Sequence, residues 1–97
     1  MKIQLLPEAA AEIEEAVAWY HQRNPHAAAR LITRLEEARH IVTLHPQAAP
    51  VLRGTIRRYV LRGYPYDLIY RPDPDLLVIL AFAHHGRRPG YWQQREH

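Results

Sequence analysis

The sequence predicts an α+β fold: a helical hairpin packed on a small antiparallel sheet, with elements in the order β-α-α-β-β-β. Three observations predict it. Apolar residues recur at helical spacing in two stretches of the first half, separated only by Asn24-Pro25. The second half carries three strand-like runs divided by turn signals. The last of these, Leu76 to Ala83, is apolar throughout, which places it inside the sheet with both faces covered.

Ile3-Gln4-Leu5 alternates and reads as a short strand. Pro7 suits a first helical position, where its missing N–H would be unpaired anyway. Glu8 and Glu12 set negative charge near the positive end of the helix dipole. Ala9, Ile13, Ala16, Val17 and Tyr20 form an apolar stripe that predicts a helix from Pro7 to Gln22. Glu12, Glu15 and Arg23 lie off that stripe, so the glutamates are expected on a solvated face. Asn24 can cap a second helix and Pro25 can begin it. Ala28, Leu31, Leu35, Ala38 and Val42 give that helix its buried face, and it should stop near His45, ahead of Pro46.

A connection this short makes the helices an antiparallel hairpin that needs a cover for its two stripes. After the loop Pro46 to Pro50, strands are expected over Thr55–Leu61, Tyr64–Arg71 and Leu76–Ala83, forming an antiparallel meander. Gly63-Tyr64-Pro65 and Pro72-Asp73-Pro74-Asp75 supply its turns. Tyr66, Leu68 and Tyr70 share one face of the middle strand, and Asp67, Ile69 and Arg71 the other. The hairpin covers one side of the sheet. The other side is expected to be partly open and to carry the function.

Ninety-seven residues suggest one domain, 1–97, with 47% apolar residues to build its core and no cysteine for disulfides or thiolate metal sites. No run approaches the roughly 20 apolar residues of a membrane span, and the N-terminal residues lack a signal-peptide order. A cytoplasmic protein with no membrane partner is expected. Residues 1–50 hold five basic groups against six acidic ones, whereas residues 51–97 hold eight against four. All cations but Lys2 are arginine, a residue suited to bidentate contacts with phosphate or carboxylate, although GC-rich coding has the same effect.

The candidate functional residues gather in Ala83 to Arg95, "AHHGRRPGYWQQR". Arg87 and Arg88, between Gly86 and Pro89, belong to an exposed turn that can grip an anionic surface. Arg57 and Arg58 are strand neighbours and point to opposite faces; one can join this basic patch while the other pairs with a helix glutamate. Arg95 extends the patch. His84 and His85 also diverge, which disfavours a shared metal ion, and no third ligand has a suitable spacing. His85 can act as a general base, or both histidines can be structural groups at a strand end. Trp92 is expected to fold back and close the core, as is Tyr91 unless its hydroxyl serves as a general acid/base or its ring stacks a base.

Several of these stretches carry a family likeness. The order of elements, "AVAWY" and "ARLITRL" in the helices, "YPYDLIYR", "LLVILAFAHH" and "HGRRPGYWQQR" together resemble the RelE/ParE superfamily of bacterial toxins, and most closely its ParE-like branch of plasmid stabilisation proteins. The likeness spans nearly the whole chain. It implies the toxin of a type II toxin–antitoxin pair, in hetero-oligomeric complex with a cognate antitoxin that lays a helix or extended arm across the hairpin and the open sheet face. It implies no cofactor. ParE-like members are associated with poisoning of DNA gyrase and growth inhibition, without a chemical step of their own. RelE-type members cleave ribosome-bound mRNA.

The departures separate the two branches. Where the nuclease branch has an arginine in its "GYRLVY"-like strand, this chain has Asp67, which would repel a phosphate. The loop "HPQAAPVLRGT" offers only His45 and Arg53 in place of lysines. The expectation is therefore an inhibitor that binds its target through Arg57, Arg58, Arg87, Arg88, Tyr91 and Arg95. Two alternatives stay open: an mRNA endonuclease using Arg87, Arg88, Tyr91 and His85, and an inactive relative that only binds its antitoxin.

Overall fold

A computed structural model describes residues 2–96. The chain runs β1 (Lys2–Leu5), α1 (Pro7–Arg23), α2 (Pro25–Leu44), β2 (Val51–Arg53), β3 (Ile56–Val60), β4 (Tyr66–Pro72) and β5 (Leu76–His84), then a 3₁₀ turn at Gln93–Arg95. The sheet has five strands in the order β1-β5-β4-β3-β2. Two α-helices on this sheet give the α+β architecture that the sequence predicts.

Asn24 alone joins the helices. Its backbone N–H closes α1 on the Tyr20 carbonyl, and its Oδ1 accepts from the N–H groups of His26 and Ala27 at 3.1 and 3.3 Å. The apolar stripes meet the sheet through small residues: Ala9, Ala16, Ala28 and Ala38 are buried, so the helices approach closely. Leu31 and Val42 fill the space between. Two tyrosines fasten the hairpin to the sheet by their hydroxyls, Tyr64 donating to the Ala27 carbonyl at 2.6 Å and Tyr70 to that of Pro46 at 2.8 Å.

The sheet departs from the expected one at both edges. It is mixed, because β1 runs parallel to β5, Ile3 opposite Leu77. A parallel pair needs a long crossover between its strands, and here the crossover includes the helical hairpin. At the other edge lies a short strand, β2, in the stretch between the expected loop and the expected first meander strand. It pairs with β3 across a turn in which Gly54 has φ +57°, a left-handed conformation open to glycine.

β5 is the centre of the molecule, covered on both faces as its composition requires. Its ladder with β4 slips between Ile69 and Tyr70, which face Ala81 and Ile79, so Leu80 is an extra residue in β5. Before the bulge Leu77 and Ile79 pack with the hairpin; after it Phe82 does. Val78, Leu80, Ala81 and Ala83 pack on the opposite face with Ile56, Ile69, Tyr91 and Trp92. The second face is thus partly roofed by the C-terminal segment. Among the described residues no helix is long and apolar enough to cross a membrane.

Candidate functional site

The basic turn of residues 85–90 follows directly from β5 and is shaped by short-range hydrogen bonds. The His84 carbonyl accepts from the Arg87 N–H at 3.0 Å, and the His84 ring Nδ1 accepts from the Gly86 N–H at 2.8 Å. Gly90, at φ +76°, turns the chain back so that Tyr91 and Trp92 can reach the sheet. Both rings are buried. Trp92 closes the core, as its place in the sequence suggests.

Tyr91 does more than pack. Its hydroxyl donates to Glu12 Oε2 at 2.5 Å, across 79 residues of sequence. The same carboxylate receives Arg95 in a two-pronged contact, Nη1 to Oε1 at 2.9 Å and Nη2 to Oε2 at 3.2 Å. It also accepts the backbone N–H of Phe82 at 3.1 Å, while Arg95 Nη1 donates to the Leu80 carbonyl at 3.1 Å. This pattern has a structural cause. β1 ends at Leu5, opposite Ile79, and the last bond on that side runs from the Leu6 N–H to the Ile79 carbonyl. Beyond that point β5 has lost its neighbour, and the Glu12–Arg95 pair supplies the acceptor and donor that a strand would have provided.

Arg87 completes the group. Its guanidinium carbon lies 3.8 Å from the centre of the Tyr91 ring, and its Nη1 lies 3.9 Å from Glu12 Oε2. The guanidinium of Arg95 sits 5.1 Å from the same ring. Burial, then the hydrogen bond to Glu12, push the Tyr91 hydroxyl far above the ordinary tyrosine range. At neutral pH Tyr91 is a proton donor already committed to a carboxylate.

On the face away from the helices, a cleft of about 440 Å³ has an apolar floor that includes Ile69, Ala83 and Trp92, with Arg58, His85, Arg87 and Arg88 among its lining. Within it His85 Nε2 lies 2.9 Å from Asp67 Oδ1. An ionised carboxylate only accepts, so the imidazole N–H is the donor. Arg58 Nε approaches Asp67 Oδ2 at 3.9 Å. The aspartate that would repel a phosphate is therefore flanked by two partners, and its repulsion is weakened.

The predicted site residues part company here. Arg58, His85, Arg87, Arg88 and Tyr91 line one cleft. Arg57 does not join them: it points to the helix side and donates to the carbonyls of Gln47 and Ala49 at 3.0 and 2.7 Å, tying down the loop after α2 rather than meeting a helix glutamate. Arg95 is turned inward onto Glu12, its side chain 11% exposed. His84 and His85 diverge, His84 standing edge-on to the Tyr66 ring. Among the described residues no group of three or more His, Cys, Asp or Glu side chains is placed to hold a metal ion.

Glu12 is the residue that sequence reasoning misplaced. It is not solvated; its side chain is 13% exposed. The signal was its spacing. Glu12 stands three residues after Ala9 and four before Ala16, which sets it at the border of the buried stripe rather than opposite it.

Comparison with known proteins agrees with this fold. The model of the family described as the ParE toxin of the type II toxin–antitoxin system parDE matches residues 3–89. A solved structure described as the chromosomal ParDE TA system from P. aeruginosa superposes with a TM-score of 0.73, covering 87% of this chain and 95% of that one at 19% identity. At that identity the likeness speaks for the fold. No curated protein matches. With the family model spanning residues 3–89, the chain belongs to the ParE toxin family of type II toxin–antitoxin systems.

Proposed function

We propose that this chain is a cytoplasmic growth inhibitor that binds an essential target through the turn at Arg87 and Arg88 and is neutralised by a cognate antitoxin. The observation that carries the reading is the state of the turn. Arg88 is exposed, Arg87 is stacked in place on Tyr91, and Tyr91 is held to Glu12. The turn offers fixed positive charge. DNA gyrase is the target that the family resemblance implies.

The nuclease alternative loses its best proton-transfer group, because the Tyr91 hydroxyl is buried and bound. In this reading the antitoxin covers the hairpin and the adjoining groove. Trp19, 49% exposed on α1, lines that groove with Tyr20, Tyr66 and Phe82. An exposed tryptophan in an aromatic groove suits a protein partner.

The test is expression of the chain alone and with the product of its neighbouring gene. Growth should stop in the first case and resume in the second. Purified protein should then inhibit gyrase supercoiling, and transcripts should show no new ends. Normal growth at good expression would defeat the reading, and new RNA ends lost in Arg87→Ala would transfer it to the nuclease branch.

A further inference from the structure

The turn is tied to the sheet at its first residue, where the His85 N–H donates to the Pro65 carbonyl at 2.8 Å and the His85 ring meets Asp67. Beyond His85 its backbone bonds are local, spanning three residues from the Arg87 N–H to His84 and from the Tyr91 N–H to Arg88. Bonds of that kind form and break readily in exposed loops. From Arg87 onward, the polar side-chain contacts that reach outside the turn converge on one side chain in α1. Glu12 holds the Tyr91 hydroxyl, stands 3.9 Å from Arg87, and binds both Arg95 and the Phe82 N–H just before the turn begins.

We propose that Glu12 is the positioning residue of the target-binding turn: it fixes Arg87 and Tyr91 from both ends without touching the target itself. The inference rests on the reading of the turn as the target-facing surface. Three features make one carboxylate sufficient. It is anchored on a rigid helix whose inner face is buried at Ala9 and Ala16 on either side of it. It binds the chain on both sides of the turn, at Phe82 and at Tyr91 and Arg95. Its charge opposes those of Arg87 and Arg95, so the two guanidiniums can lie near one ring without mutual repulsion deciding their positions.

Charge and shape are separable here. Glu12→Gln keeps an oxygen for the Phe82 N–H but has no negative charge for Arg95 and Arg87. The double change Glu12→Gln with Arg95→Met avoids a buried unpaired cation and should fold in any event. In both variants, amide exchange at Arg87 and Tyr91 should quicken about tenfold relative to the parent while the amides of β4 keep their protection. A merely structural role would lower protection throughout. Growth inhibition should weaken about tenfold in the inducer dose needed for arrest.

Arg88→Ala separates the two ideas. If Arg88→Ala leaves growth inhibition intact, the turn is not the target surface. If Arg88→Ala weakens inhibition but the double variant keeps full potency and slow exchange in the turn, Glu12 is not its positioning residue. The inference stands when the exchange of the turn and the inhibition change together.

Discussion

The two covers of the sheet are built on different principles. The hairpin covers its face with many apolar contacts, in which small alanines allow close approach. The C-terminal segment covers the other face with Tyr91 and Trp92 and is tied across the edge of β5 by a network centred on Glu12. The first cover is held by area and two separate tyrosine hydroxyls, the second by area and one carboxylate that gathers several partners. The face carrying the basic turn is thus the one whose order depends on a polar network gathered at a single side chain. It can be loosened without dismantling the fold.

Single substitutions can weaken each cover in turn. The largest effect is expected from Leu31→Ala, which opens a cavity at a fully buried position of the hairpin: about 4 kcal/mol of stability, read from urea denaturation. Loss of both faces together in one transition is the expected form, and separate transitions would contradict a shared core. Glu12→Ala should cost about 3 kcal/mol because it strands Arg95, whose side chain is 11% exposed. Adding Arg95→Met should recover most of that loss, and failure to do so would mean that the pair is not where the energy lies.

Asn24→Ala, which removes the cap at the helix junction, should cost about 1 kcal/mol and leave the C-terminal segment untouched, as judged by Trp92 fluorescence in a Trp19→Phe background. The smallest effect at neutral pH, and the most specific, is alkaline. Tyr91 ionises at higher pH in the folded protein than in the unfolded chain, through burial and then its bond to Glu12. Above the usual tyrosine range near pH 10 the unfolded chain therefore binds fewer protons, so stability falls as pH rises through that range. Tyr91→Phe should make the decline shallower. An unchanged slope would show that other buried tyrosines carry the effect.

What the sequence disclosed follows the same division. Proline and asparagine placed the helix boundaries, because their backbone constraints act locally: Pro7, Asn24 and Pro25 mark the ends seen in the structure. The unbroken apolar run placed β5 at the centre. The direction of β1 was not legible, since some 70 residues separate it from its partner and no turn dictates the pairing. β2 is three residues long and too short to show alternation. Within the site, the turn was legible from Gly86, Pro89 and the arginines between them. Glu12 was not, because its role is created by partners 70 to 83 residues away. The inward turn of Arg95 and the diversion of Arg57 to loop carbonyls have the same origin.

The extra residue in β5 has a consequence for reading relatives of this chain. Upstream of Leu80 the odd-numbered residues look toward the helices; downstream the even-numbered ones do. That single step sends His84 to the Tyr66 side and His85 to Asp67. A relative without the bulge would present its two histidines on exchanged faces even if both were retained. Equivalent residues in this family are therefore to be matched by the side of the sheet they occupy, and a column-by-column alignment through this strand would pair the wrong histidines.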